Sequence, residues 1–349
     1  MLERVSRLLS FACGSAAPDK LRMIHKLFLL GFLCAGFAGL RFTAPALAQG
    51  GPETVTIGFP SRSMTELPNH IAAAKGFYRE EGIDARLIQA RSNVLVAALA
   101  SGSLDYITSV NSSLSGIMSG VPAKVIAIIT ENNPDYLMAK PEIRSLKDLK
   151  GRTLAVSAFG GSSHQRLLII LNSIGLDPKT DVSILSVGEA KLRLEQLRLG
   201  AIDATVLTAP HNFVAERAGF RTLGSSKDIL PLPAVGMATL ERKIQDKPDQ
   251  VKKTLRALLK AMAFIRQNRD ETVQRAMEWL ALDRDLAERS YEAMVSNYAF
   301  DGTMDRQQLA QYVDLVSRRR PGAAQKNFSL ADVADFSFVE QARRELARK

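Results

Sequence analysis

Of the four histidines in this chain, His25 falls in the first 48 residues, which leaves His70, His164 and His211 to move a proton near neutral pH. His164 stands beside Ser162 and Ser163, a pairing that would suggest a hydrolase. Adjacent residues on a helix do not face each other, and no G-x-S-x-G elbow surrounds either serine. The histidines also lack a metal-ligand spacing such as H-E-x-x-H. Cys13 and Cys34 both precede the cleavage expected after Ala48, so the mature chain is expected to have no thiol catalysis, cysteine metal site or disulfide. No enzyme activity, metal or cofactor is therefore expected, and binding is the chemistry to look for.

The residues equipped for binding come in short clusters. They are Ser61, Arg62 and Ser63; Arg91, Ser92 and Asn93; Ser109, Asn111 and Ser112; Phe159, Gly160, Gly161, Ser162 and Ser163; and Thr208 with Pro210. Hydroxyls, amides and glycines dominate, Arg62 and Arg91 are the available cations, and no carboxylate is among them. Such a set suits a small anion of the sulfonate or carboxylate type and fits amines poorly. Arg62 is the first candidate for ligand contact. Gly160-Gly161-Ser162-Ser163 lacks the Gly-Lys-Ser/Thr ending of a phosphate loop, yet it offers successive backbone N–H groups at a helix start. Phe159 would either wall off an apolar ligand tail or pack in the core. Several of the serines and asparagines could equally be ordinary helix N-caps.

These clusters follow from the elements around them. Thr54 to Phe59 alternates apolar and polar residues and reads as a strand; a helix is expected from Asn69 to Glu81, stopped at Gly82. Strands are expected at Asp84–Ala90, Tyr106–Val110 and Ala123–Thr130, with helices at Asn93–Ser101 and Ser112–Ser119 between them. The pattern restarts with a strand at Thr153–Ser157, a helix at Ser163–Ile174, a strand at Val182–Ser186, a helix at Ala190–Leu199 and a strand at Ala204–Thr208. Strands alternating with helices imply βαβ units and mainly parallel sheets, an α/β fold. Ligands of such sheets lie beyond the C-terminal ends of the strands, which is where the clusters fall. From Lys247 onward the chain reads as mostly helical. Val251, Leu255, Leu258, Leu259, Met262 and Ile265 share one face expected to pack in the core.

The start of the chain reads as an address. His25 and Lys26, an apolar stretch from Leu27 to Leu40 and the small-residue sequence Ala46-Leu47-Ala48 have the order of a secretory signal peptide, with translation expected to start at Met23. The mature chain is expected to be exported. Its charge is modest: 46 Lys and Arg against 36 Asp and Glu in all, of which the first 48 residues hold six and two. An interspersed surplus of that size argues against a nucleic-acid partner, and the run Arg318-Arg319-Arg320 reads as a solvated helix end.

Several stretches carry a family resemblance. Pro68 to Asp84, with Ala72, Gly76-Phe77-Tyr78 and Glu81-Gly82, resembles the A-x-x-x-G-[FL]-[FY]-x-x-E-G signature of substrate-binding proteins serving nitrate/taurine/sulfonate-type ABC importers (SsuA/THI5-like, NMT1-like). Ala98 to Asp105, Ser145 to Gly151, Gly175 to Pro178, Leu199 to Ala204 and Asp335 to Phe338 extend the likeness in the family order. The resemblance implies a two-lobed periplasmic binding protein fold of the second topological type. The lobes would be divided as 1–48 leader, 49–138 lobe one, 139–232 lobe two and 233–349 completing lobe one. It further implies a monomer in the periplasm that closes on a small-molecule ligand and delivers it to an inner-membrane permease. A ligand sensor or a pyrimidine-precursor binder of the same fold is the alternative.

Overall fold

A computed structural model describes residues 51–132, 135–225, 229, 233–318 and 328–348. The stretch expected to be a leader, with both cysteines and Met23, lies outside the described residues, as do Arg319 and Arg320. The described residues form two five-stranded sheets. In the first, β1 (Glu53–Phe59), β2 (Ile83–Gln89), β3 (Tyr106–Ser109), β4 (Ala123–Ile128) and β10 (Val235–Leu240) stand in the order β2-β1-β3-β10-β4. In the second, β5 (Tyr136–Ala139), β6 (Thr153–Val156), β7 (Ser183–Ser186), β8 (Ala204–Leu207) and β9 (Arg221–Ser225) stand in the order β7-β6-β8-β5-β9.

Each sheet is parallel apart from one reversed strand. β10 runs antiparallel to both its neighbours, β3 and β4, and β5 runs antiparallel to β8 and β9. These two are the strands on which the chain arrives from the other sheet. The chain thus leaves the first sheet after β4 and returns after β9, the topology of a type II periplasmic binding protein. β5 already belongs to the second sheet, so the first crossing lies just before residue 136. β5, β9 and β10 were not anticipated from sequence. β10 is buried along its whole length, so it shows no apolar–polar alternation to read.

The single helix expected from Asn69 to Glu81 is two, Leu67–Ala74 and Phe77–Glu80, broken at Gly76 with φ of 80°. Only glycine takes that left-handed conformation without strain. The turn swings Tyr78 into the core, where its hydroxyl donates to Asn69 at 3.1 Å. Farther on, the 20-residue helix Pro248–Gln267 buries Val251, Leu255, Leu258, Leu259, Met262 and Ile265. It packs on Leu67–Ala74 and on the terminal helix Ser337–Leu346, tying the C-terminal helices to the first sheet. No helix among the described residues is long and apolar enough to cross a membrane.

Candidate functional site

Between the two sheets lies a cavity of about 630 Å³, open on one side. Strands β1, β2, β3, β6 and β7 all end at this cleft, β3 running straight into a helix, and four helices begin there. These are Ser92–Ser101, Val110–Met118 with Ser109 as its N-cap, Ser162–Ser173 and Ala190–Arg198, and Ser92, Ser109, Ser162 and Ala190 all line the cavity. Each helix begins at the cleft and carries roughly half a positive charge at that end, although the Val110 N–H is taken by the Ala234 carbonyl at 3.2 Å and the Ala190 N–H by Ser61.

Three ionisable side chains in the wall were not anticipated. Arg193, one turn into Ala190–Arg198, is buried; Nε donates to Thr205 Oγ1 at 3.1 Å, Nη2 to the Val206 carbonyl at 3.0 Å and Nη1 to the Gly188 carbonyl. It forms no ion pair with any described residue. Burial lowers its pKa to about 10, against the pull of Asp135 and Glu189, so it remains a cation at neutral pH. Glu66, at the end of a short 3₁₀ turn after β1, is buried and lines the same cavity. Burial pushes its carboxyl up to about 8. Hydrogen bonds from Thr108 Oγ1 at 2.7 Å and Asn69 Nδ2 at 3.5 Å only partly oppose this. At neutral pH Glu66 is therefore mostly a neutral acid with a proton to donate. Asp135 also lines the cleft and is paired with the buried Arg166. Carboxyl groups thus enter the wall from outside the residues named from sequence, although the charges that remain uncompensated are positive.

The candidate residues divide by position. Ser61, Ser63, Ser92, Ser109, Ser162, Ser163 and Thr208 line the cavity, joined by Thr65 and Ser157. Arg62 is exposed and, with Pro210, borders a neighbouring chamber; Arg91 is exposed beside a shallower recess. Asn93, Ser112, Phe159 and Gly160 border another recess, and Phe159 is 61% exposed, so it does not pack in the core. Gly161 caps the helix Ser162–Ser173. Asn111 is fully buried and acts as a strap: its Nδ2 donates to the Gly160 carbonyl at 2.5 Å, and its Oδ1 accepts from Tyr312 at 2.8 Å. Ser109 and Ser162 hydroxyls meet at 3.4 Å, and Ala190 N–H donates to Ser61 Oγ at 3.4 Å, so the lobes are closed on each other.

His164 does structural work. His164 Nδ1 accepts from Gly160 N–H at 3.0 Å and braces its loop, while Ser163 Oγ is bonded to Ser157 at 2.8 Å. Arg193 was within reach of sequence reasoning, since the strand-end rule applied to β7 leads straight to Gly188-Glu189-Ala190 and the helix that follows. Glu66 carries no local signal, because only tertiary burial sets it apart from other glutamates.

A family model described as NMT1/THI5 like matches residues 66–272. The riboflavin-binding protein RibY of Chloroflexus aurantiacus is 25% identical over 250 residues, 68% of this chain and 71% of that protein. Among solved structures, the periplasmic nitrate-binding protein NrtA from Synechocystis has a TM-score of 0.73 at 16% identity, covering 85% of this chain and 89% of that one. The alkanesulfonate-binding protein SsuA from Xanthomonas axonopodis pv. citri, bound to MOPS, has a TM-score of 0.68 at 16% identity over 84% and 98% of the two chains.

Proposed function

Because the chain belongs to the NMT1/THI5-like family, we propose that it is the periplasmic solute-binding component of an ABC importer, taking a small organic anion in its cleft and handing it to a membrane permease. One observation carries the ligand class: four helix N-termini converge on a single cavity that also holds a buried guanidinium without a carboxylate partner among the described residues. Anions gain from helix N-termini and from charge-assisted hydrogen bonds to arginine, and a cation would be repelled by both. Glu66 supports the same reading, since a protonated acid donates to an anion where a carboxylate would repel it.

Binding proceeds by closure. The ligand bridges Ser92 and Ser109 of one lobe to Ser162, Ser163 and Arg193 of the other, so its contacts exist only when the cleft is shut. That differential affinity holds the closed state. Recognition of the closed form by the permease and release on reopening complete the transport role. The wall offers positioning and charge, and its serines engage backbone and other hydroxyls, so the reading is that of a binder and not an enzyme.

Calorimetry and thermal shift of the purified protein against nitrate, short alkanesulfonates and carboxylates test this. An anion at 100 times its Kd stabilises the fold by about 2.7 kcal/mol. Arg193→Lys should weaken that anion at least tenfold, measured below the variant's own thermal midpoint, which the loss of hydrogen bonds to Thr205, Val206 or Gly188 lowers. Equal affinity in the wild type and Arg193→Lys, or tighter binding of an amine than of any anion, defeats the proposal.

A further inference from the structure

Beside the inner cavity lies a second chamber, with an empty volume of about 690 Å³. Ser61 lines both, so the two are adjacent across one residue. Its walls come from both lobes: Arg62 and the end of the helix Arg269–Leu280 on one side, Lys191 and His211 on the other. Arg62 and Lys191 are exposed, and neither forms an ion pair among the described residues. Glu189 is the one carboxylate lining the chamber, and it accepts a hydrogen bond from Gln89.

The aromatic wall is Trp279. His70 stacks on it with ring centroids 4.5 Å apart and planes 8° from parallel, so the indole is held in a fixed plane. Burial first, then the nearby Arg275 and Arg62, lowers the His70 pKa to about 4, which leaves the stacked imidazole neutral. After Leu280 the chain turns at Ala281, whose φ of 54° is a left-handed conformation that alanine rarely adopts. That turn ends the helix at the chamber, with Trp279, Leu280 and Ala281 all in the wall. Opposite, His211 Nδ1 is a buried ring nitrogen with no hydrogen-bond partner among the described residues. An aromatic side chain and two cations without an ion pair among the described residues thus line one space, with His211 in the opposite wall.

We infer that this chamber is a second subsite of the cleft, taking the planar, negatively charged far end of an extended ligand whose first anionic group sits at Arg193. The inference rests on the reading of the inner cavity as an anion site. The ligand is then an aromatic dianion, long enough to pass Ser61, with its ring on Trp279 and its second charge between Arg62 and Lys191. Rings stack on indole faces, and fixed cations at a chamber mouth draw anionic ligands in.

Methanesulfonate, benzenesulfonate and biphenyl-4,4′-disulfonate serve as probes, with binding measured by calorimetry on the purified protein. Affinity should rise along the series. Trp279 is the only tryptophan in the chain, so its emission should change with the disulfonate and hold steady with methanesulfonate. Arg62→Ala, Lys191→Ala and Trp279→Ala should each weaken the disulfonate by about tenfold and leave methanesulfonate within twofold. Both arginine and lysine positions are exposed, so those variants fold whatever the tryptophan variant does. Arg193→Ala separates the two readings, because it removes both probes if the inner cavity holds the first anion. A disulfonate that binds no tighter than methanesulfonate, absence of binding by both included, overturns the outer subsite. So does a disulfonate whose affinity the three outer substitutions leave unchanged while Arg193→Ala abolishes it.

Discussion

Replacing Glu66 by glutamine keeps the shape of a buried side chain and removes its ionisation, which makes the proposed neutral acid in the cleft measurable. In the unfolded chain this carboxyl titrates near 4.5, and in the folded protein near 8. Between those values the folded state holds a proton that the unfolded state has lost. Stability therefore falls as pH rises through the window, by about 1.4 kcal/mol per pH unit. From pH 5.5 to 7.5 the wild type should lose up to about 3 kcal/mol that Glu66→Gln does not lose. Every other titrating group is common to both proteins and cancels in the difference. The glutamine has its own cost: its amide nitrogen cannot accept from Thr108 or Asn69 as a carboxyl oxygen does, a pH-independent offset of about 1 kcal/mol. The slope decides the matter. Urea unfolding of both proteins at pH 5.5, 6.5 and 7.5 should show the variant gaining steadily on the wild type. A constant difference across the three pH values would mean that Glu66 is already ionised in the fold, and the account of the cleft electrostatics would fail with it.

Other outcomes follow from the same geometry. Arg217 reaches across from the helix His211–Arg217 to Asp283, and to Asp285 at 2.7 Å, on the C-terminal helices. Arg217→Ala should lower ligand affinity several-fold at low salt and little at high salt, seen by calorimetry at two ionic strengths, because exposed pairs are screened. Asn111→Ala removes the strap to Gly160 and should cost about 1–2 kcal/mol in the closed, ligand-bound state, read as an affinity loss with a wider cleft in small-angle scattering. Gly76→Ala forces a side chain into the left-handed region and should cost about 1–2 kcal/mol of stability in urea with ligand affinity unchanged. Leu258→Ala, in the middle of the long C-terminal helix, should cost about 2–5 kcal/mol by the same assay.

What could be read from the sequence is what local physics determines. The amphipathic face of Pro248–Gln267 has a helical period, and β1 alternates, so both were legible. Ser92, Ser109, Ser162 and Ser163 were found in the cleft wall because strand ends and helix starts are local signals, and a rule of α/β sheets turns them into positions in space. The strand Tyr136–Ala139 was missed because four residues, three of them buried, show no period. Arg62 was put first because its loop follows the first strand, and Arg193 was not considered, since which arginine becomes buried depends on how two distant segments close. Asp135 and Glu66 entered the wall for the same reason. Their roles come from burial, which no window of neighbouring residues encodes.

The reversed strands carry a further consequence. Tyr136 pairs with Ser225 at one end of the second sheet, and Val235 N–H donates to Thr130 Oγ1 at 3.0 Å in the first. The points where the chain enters and leaves the second lobe are therefore neighbours at both ends of the crossing. In construction terms, the second lobe is a cassette clipped into one gap of the first, and each clip ties an interior strand, β5 or β10, to the end of the edge strand beside it, β9 or β4. A cassette held this way can be exchanged between relatives without unpicking the first lobe's sheet, carrying Arg193, Ser162 and Lys191 with it. New ligand preferences can then arise by replacing half of the cleft in a single step.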